Sequence, residues 1–206
     1  MYKLEEEKNI FKQGYFCLAG VDEVGRGSLA GPVVAASVSF FAEHKKVNQK
    51  LIGVNDSKKL SPKRREYFFK LINEEFHNIG IGVVDSSKID RINILQASLL
   101  AMKLSINKLT DKPEFILVDG NCKIPELNIA QKSIIKGDGK VFSIAAASII
   151  AKVYRDHIML GYHKEFPLYG FDRHKGYGTK QHLEAIKKYG ALNIHRKSFK
   201  PFSLLN

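Results

Sequence analysis

Three short apolar runs in this chain each lead into a carboxylate, and that recurrence limits the possible fold more than any other feature. Tyr15-Phe16-Cys17-Leu18-Ala19-Gly20-Val21 stops at Asp22-Glu23, and Phe115-Ile116-Leu117-Val118 stops at Asp119-Gly120. Ser133-Ile134-Ile135 leads into Lys136-Gly137-Asp138. The first two runs read as buried strands, and the third as a short strand. In an α/β sheet the carboxyl ends of neighbouring strands face one crevice, where ligands sit. Acids gathered there repel one another unless cations are bound. Hard divalent ions with oxygen ligands, Mg²⁺ or Mn²⁺, suit such a site. Two of them about 4 Å apart can clamp the attacking and leaving oxygens of a phosphodiester displacement. Taken singly, each acid has a plainer reading as a loop carboxylate.

The rest of the chain supplies the partners of these strands. Residues 32–40, rich in Val, Ala and Phe, predict a second strand beside the first, and residues 79–84 alternate glycine with β-branched residues as a third. Ser61-Pro62 opens a helix with a capping hydroxyl and a proline at the first position. Its apolar stripe is Tyr67, Phe68, Leu71, Ile72 and Phe76. Residues 89–109 predict a long helix with Ile92, Leu95, Leu99, Met102 and Ile106 at helical spacing. Residues 143–151 are apolar nearly all round and predict a buried helix; Ser143 and Ser148 are expected to serve its packing. Residues 179–189 predict a basic surface helix, capped by Thr179 and ended by Gly190. The order fits an α/β fold with a mixed five-stranded sheet flanked by helices. Residues 1–165 are expected to form the main domain, and residues 166–206 a small, basic, helical C-terminal extension packed on it.

Charge points to an anionic partner. Lys plus Arg is 33 against 21 Asp plus Glu, a net +12, of which residues 136–206 carry +8 and residues 1–135 only +4. A basic third of this kind suits a phosphate backbone, although a Lys-rich surface without a partner explains the charge equally well. Other classes fall away. The first eight residues are charged and lack the apolar stretch of a secretory signal, and the longest nearly apolar run, residues 141–151, is too short to span a bilayer. Cys17 and Cys122 are far apart with no Cys-x-x-Cys, which argues against a structural zinc site and a disulfide scaffold and fits a reducing cytoplasm.

The Gly25-Arg26-Gly27 turn has its own reading. A dinucleotide fingerprint needs Gly-x-Gly-x-x-Gly opening a helix, whereas Gly31 is misspaced and Pro32 leads into a strand. What remains is either a purely structural tight turn, or glycines that let backbone amides approach a sugar-phosphate. One difficulty stands: adjacent residues on a flat strand point to opposite faces, so Asp22 and Glu23 should not both be ligands unless the turn twists the backbone.

Gly20-Val21-Asp22-Glu23-Val24-Gly25-Arg26-Gly27-Ser28-Leu29-Ala30-Gly31-Pro32-Val33 resembles the signature of the ribonuclease HII family. Asp56-Ser57-Lys58-Lys59-Leu60-Ser61, Val118-Asp119-Gly120, Lys136-Gly137-Asp138, residues 143–152, His174-Lys175-Gly176-Tyr177-Gly178-Thr179 and His195-Arg196-Lys197-Ser198-Phe199 extend the likeness, in the family's order. The sister family, ribonuclease HIII, is less similar: it has Lys where Arg26 stands, and an added N-terminal domain for which the residues before the first strand leave no room. The resemblance implies a ribonuclease H-like fold and a monomeric, cytoplasmic endonuclease. Its substrates would be RNA–DNA hybrids and duplex DNA with embedded ribonucleotides, as in ribonucleotide excision repair. Incision would fall 5′ to a single ribonucleotide, leaving 5′-phosphate and 3′-hydroxyl ends.

Carried over by position, Asp22, Glu23, Asp119 and Asp138 match the four metal-binding, catalytic acids, for Mn²⁺ or Mg²⁺. Gly25, Arg26 and Gly27 match the turn that reads the ribose 2′-hydroxyl, the group that separates RNA from DNA sugar. Tyr177 matches the tyrosine that packs against the sugar of the following nucleotide. Lys58 and Lys59 would neutralise phosphates, with a solvated pair as the plain alternative. Asp56 and Asp156 lie outside the metal centre and are expected in salt bridges, and the remaining histidines on the surface or in structural roles. Pro201-Phe202-Ser203-Leu204-Leu205 is a faint match to a sliding-clamp peptide. Two other classes compete: a non-catalytic binder of hybrid or damaged duplexes, which gains nothing from acids on its basic face, and a DNA nuclease of the same fold, against which the Gly-Arg-Gly turn and Tyr177 argue.

Overall fold

The computed structural model describes residues 4–42, 48–200 and 202. Its chain runs α1 (Glu5–Lys12), β1 (Cys17–Val24), β2 (Val33–Phe41), α2 (Pro62–Glu75), β3 (Ile79–Val84), α3 (Ser86–Asn107), β4 (Phe115–Asp119), β5 (Ala130–Ile134), α4 (Phe142–Glu165), α5 (Phe171–His174) and α6 (Lys180–Tyr189). The five strands form one sheet in the order β3-β2-β1-β4-β5. β1, β2 and β3 pair antiparallel, whereas β4 runs parallel to both β1 and β5. The expected mixed sheet is present. Among the described residues, no helix is long and apolar enough to cross a membrane.

Alternation along the strands splits the core in two. Leu18, Ala36, Val38, Phe40 and Leu117 face α2 and α4, and Ala19, Val21, Ala35, Ile116 and Val118 face α3. Gly20 lies in the first set, and a Cβ there would run into the backbone of Ser143. Its bare Cα therefore lets α4 lie directly on β1. The N-terminus of α4 is capped by a residue far away in sequence, because the buried Glu7 of α1 accepts a hydrogen bond from the Ser143 amide at 2.8 Å.

Several helix details depart from the sequence expectation. Ser61 caps α2 as predicted, accepting from the Arg64 amide; Phe68, Ile72 and Phe76 of the expected stripe are buried and Leu71 packs against them, but Tyr67 is 52% exposed. α3 starts earlier, at a cap formed by Asp85. It also breaks at Asn93, whose φ is 64° and whose side-chain oxygen accepts from the Leu95 and Gln96 amides. Asn93 thus recaps a second helical segment and rotates its buried face to Ala97, Ser98, Ala101, Met102, Ser105 and Ile106, which leaves Leu95 41% exposed. The buried helix of residues 143–151 continues to Glu165, half of it apolar and half amphipathic. Thr179 caps α6, and Gly190 ends it at φ 82°.

After α4 the chain folds back over it. Tyr169, Phe171 and Ala185 form a small apolar cluster with Met159 and Ala30. Three histidines cross this region, and their tautomers follow from their neighbours. The Leu192 amide donates to His195 Nδ1 at 2.8 Å, so a proton on that nitrogen would set two donors against each other. The proton is therefore on His195 Nε2, which donates to His182 Nε2 at 3.1 Å. His182 Nδ1–H then donates to the Tyr177 carbonyl at 3.0 Å. His174 stacks on His182, accepts from the Gly176 amide and donates to the Tyr169 carbonyl. All three rings are neutral in this network. Phe202 is buried against His195, and the other residues of the Pro201–Leu205 stretch lie outside the described residues.

Burial pushes His182 and His195 down to about 4, from about 6.5 in an unfolded chain. The unfolded state then binds more protons between those values, so these rings withdraw stability as pH falls from about 6.5 towards about 4. Urea unfolding of His182→Gln should show a shallower loss of stability across this window than the parent. Identical slopes would remove the rings from the acid response.

Candidate metal centre and substrate-facing turn

The β1–β4 ladder ends at Val21 opposite Val118. Beyond it, Asp22 and Glu23 are paired only with Ala36 and Ala35 of β2, so their strand has an open edge towards Asp119. That opening answers the alternation difficulty. Although Asp22 and Glu23 start from opposite faces, one carboxylate oxygen from each, together with one from Asp119, lies within 4.8 Å of the others. Asp22 also turns back along its own strand, accepting from the Glu23 amide at 2.7 Å.

Asp119 recruits the fourth acid through the backbone. Its Oδ1 accepts from the Gly137 amide at 2.7 Å and from the Asp138 amide at 3.4 Å. This pins a 3₁₀ turn, entered through Lys136 at φ 57°, beside the three-acid cluster. Asp138 stands next to that cluster rather than within it, with Lys58 Nζ 3.8 Å away. Lys58 is presented by a 3₁₀ turn of residues Ser57–Lys59, which Asp56 caps by accepting from the Lys58 amide. Asp56 is thus a cap, not the salt-bridge partner expected from sequence, whereas Asp156 does pair with Lys152 at 2.7 Å. Lys59 is exposed on the same turn, and no ion pair among the described residues ties it to the acids.

Electrostatics describe a site that wants cations. Asp22 is pushed well up by burial, then by the charges of Glu23 and Asp119. Burial also raises Glu23, against the pull of Arg26, whose guanidinium sits 3.2 Å from its carboxylate. Asp138 is raised by burial and by Asp119. Lys58 loses charge preference through burial, yet Asp138, Asp22, Asp56 and Asp119 together raise its pKa. Hard oxygen donors that resist ionising together fit divalent Mg²⁺ or Mn²⁺ and offer nothing to a soft metal.

The turn after β1 borders this cluster. Gly25 has φ 93°, and a Cβ there would strike the Arg155 side chain; Gly27 faces open space. Ser28 forms a β-bridge with Tyr177, which places that tyrosine, 37% exposed, beside the turn. Asp22, Glu23, Asp119, Asp138 and Lys58 thus gather at one end of the sheet, with the Gly25–Gly27 turn following directly on Glu23 and Tyr177 joined to that turn through Ser28. Sequence reasoning missed three side chains. Ser148, set aside as packing, bonds Ser57 Oγ at 3.0 Å and reaches the Asp22 carboxyl. Arg155 and Arg196 are fully buried around the turn. Arg155 lies just past the apolar half of α4, among polar residues that give no signal of burial, and Arg196 stands in the His195–Phe199 motif, which marks a likeness but not a buried side chain.

Comparison with known proteins identifies the family and the fold. The ribonuclease HII family model matches residues 19–202. A ribonuclease HII of Clostridioides difficile (strain 630) is 52% identical over 204 residues, covering 95% of this chain and 78% of its own length. That of Bacillus subtilis (strain 168) is 51% identical over 189 residues, covering 92% and 71%. The crystal structure of ribonuclease H2 from Pyrococcus horikoshii OT3 superposes with a TM-score of 0.75 at 27% identity, covering 92% of this chain and 96% of that one. Bst-RNase HIII, solved in complex with Mn²⁺, has a TM-score of 0.74 at 21% identity over 91% of this chain and 68% of that one, a likeness of fold.

Removing one charge from a repelling buried cluster should stabilise the metal-free protein. Asp22→Asn is expected to raise its stability by about 1 kcal/mol, roughly 2–4 °C for a chain of this size. Added Mn²⁺ should raise the melting temperature of the parent and leave that of the variant nearly still. A metal-free variant less stable than the parent would contradict the repulsion described above.

Proposed function

The chain belongs to the ribonuclease HII family, and on that premise we propose that it is a divalent-metal-dependent endoribonuclease. It would cleave the RNA strand of RNA–DNA hybrids and incise duplex DNA on the 5′ side of a single embedded ribonucleotide. The observation that carries this reading is the approach of the Asp22, Glu23 and Asp119 carboxylates to within 4.8 Å at the edge of the Gly25–Gly27 turn. Acids without a sugar-reading turn would fit a general nuclease, and the turn without acids a binding protein.

In this reading Asp22, Glu23, Asp119 and Asp138 hold two divalent ions. Such ions, when bound, activate water at neutral pH and stabilise charge on the leaving oxygen. The protein's own part is placement. Asp119 orients Asp138 through the Gly137 and Asp138 amides. Lys58 balances the acid charge on one side and Arg26 on the other, and each can turn to a phosphate when substrate arrives. Lys59 would add a phosphate contact from the exposed side of its turn. Gly25, Arg26 and Gly27 present backbone groups to the ribose 2′-hydroxyl, and Gly27 has the open space for a close approach. Tyr177 would lie against the next sugar, where a bulkier, ribose-like substituent is unwelcome. Hydrolysis breaks the bond from phosphorus to the 3′-oxygen of the preceding nucleotide, which leaves a 3′-hydroxyl there and a 5′-phosphate on the ribonucleotide.

Residues 1–165 would form the catalytic unit, and residues 166–206 a basic helical segment that carries Tyr177 to the site and adds phosphate contacts. The chain would act as a cytoplasmic monomer.

The test is an end-labelled duplex with one ribonucleotide, incubated with Mg²⁺, with Mn²⁺ or with EDTA. A single cut 5′ to the ribonucleotide is expected with either metal, none with EDTA, and none when that sugar is deoxyribose. Cleavage that ignores the 2′-hydroxyl would favour a DNA nuclease. Asp119→Asn should lower the cleavage rate on the order of 10³-fold or more while retaining duplex binding; near-parental activity would take Asp119 out of the mechanism. Duplex affinity should fall steeply and log-linearly with salt through counterion release, and a flat dependence would deny the basic surface a role.

A further inference from the structure

Arg155 and Arg196 are the largest side chains that the described structure buries completely, and no carboxylate among the described residues lies within ion-pair distance of either. The acids nearest in charge are engaged elsewhere. Asp156, beside Arg155, pairs with Lys152. Asp90, beside Arg196, accepts from the Lys197 and Ser198 amides and the Ser198 hydroxyl. Burying an unpaired ion costs several kcal/mol, and apolar residues of similar volume are often more stabilising. Packing alone therefore does not account for two adjacent cations.

Their hydrogen bonds do. Arg155 donates to the carbonyls of Pro32 at 2.9 Å, Lys175 at 3.0 Å and Ala30 at 3.1 Å. Arg196 donates twice to Gly31, at 2.9 and 3.1 Å, and to Arg26 at 2.8 Å. Every acceptor belongs either to the segment from Arg26 to Pro32 or to the strand of chain leading into Tyr177. Arg155 also lies under the Tyr177 ring, 5.7 Å from its centroid, and occupies the space that a Cβ at Gly25 would need. A planar fork with fixed donor directions can set the carbonyls of a turn in this way; the single ammonium of lysine cannot.

We infer that Arg155 and Arg196 are positioning residues for sugar discrimination: together they lock the Gly25–Gly27 turn and Tyr177 into one rigid surface that accepts a ribonucleotide and its deoxyribose neighbour. This rests on the reading of that turn proposed above. Neither guanidinium touches substrate. Each fixes where the backbone groups that do so are held, and the six charge-assisted bonds make that surface stiffer than its loop sequence would allow.

The experiment measures binding, with the Asp119→Asn protein as parent so that no substrate is consumed. Fluorescence anisotropy compares a duplex holding one ribonucleotide with its all-deoxy twin at one salt concentration. Arg155→Lys and Arg196→Lys retain the positive charge and lose the fork. Each should lower the preference for the ribonucleotide duplex roughly ten-fold, the loss of about one aligned hydrogen bond, while affinity for the all-deoxy duplex changes less than about two-fold. An unchanged preference, or equal weakening on both duplexes, overturns the inference. A parent with no preference would instead remove the turn reading on which the inference stands. Should the lysine variants fail to fold, as judged by circular dichroism, the guanidinium N–H resonances of the parent decide. They should be resolved and slow to exchange, and shift with the ribonucleotide duplex but not with its twin; resonances that stay still with both would overturn the proposal.

Discussion

Mutual repulsion among buried carboxylates is the constraint around which the rest of this molecule is arranged. Asp22 is nearly inaccessible and is neighboured by Glu23 and Asp119, with Asp138 alongside. No such cluster arises from packing, because each acid raises the cost of ionising the next. The scaffold sustains it with covalent and hydrogen-bonded restraint: a strand edge that opens where the β1–β4 ladder stops, and backbone amides given to Asp119 and Asp22. The same repulsion is what a bound divalent cation would relieve, so the cost of gathering these acids and the cation site proposed for them have one origin.

A second polar framework lies on the other side of the turn, with the opposite sign. Two buried guanidiniums hold the Arg26–Pro32 backbone, and a line of neutral imidazoles runs from Leu192 to the Tyr177 carbonyl. Both devices come from the part of the chain after β5, and both converge on Tyr177 and the turn. The acids thus sit on the central sheet, while the surface that would recognise the sugar is assembled from the early turn and the late helices. Both are tied to α4, the acids through Ser148 and the turn through Arg155.

Much of this was legible before any coordinates. Apolar runs ending in acids identified β1 and β4, whose apolar residues are mostly buried. The third run marks β5 only in part, because β5 covers Ala130–Ile134 at the edge of the sheet with no residue fully buried, and Ile135 lies beyond it, exposed. Ser61 and Thr179 were readable as caps because capping is local: the hydroxyl and the amide it serves are three residues apart. The Asn93 break is not legible in sequence, because a recapping residue looks there like one polar residue in a helix, and the apolar spacing runs on across it. Asp56 was misassigned for a related reason, as a carboxylate beside two lysines suggests an ion pair when its oxygen in fact serves an amide. Glu7 could not be found at all, and Arg196 was legible only as one residue of the His195–Phe199 likeness, not as a buried hydrogen-bond donor. Their partners, Ser143 and Gly31, are distant in sequence, and nothing near either residue signals burial.

What the sequence determined by itself was chemical identity and local geometry: which acids end strands, where glycine must stand in a turn, and which stretches can hide from water. Those properties depend on neighbours along the chain, so the order of residues is enough to state them. Tertiary structure alone decided that Asp22 and Glu23 could act together despite opposite strand faces, that Asp119 holds Asp138 through amide hydrogens, and that Arg155 joins Tyr177 to Gly25. Each of these turns on distances between segments that strand pairing, the turn after β5 or the packing of α4 brings together, and electrostatic energy depends on those distances rather than on position in the chain.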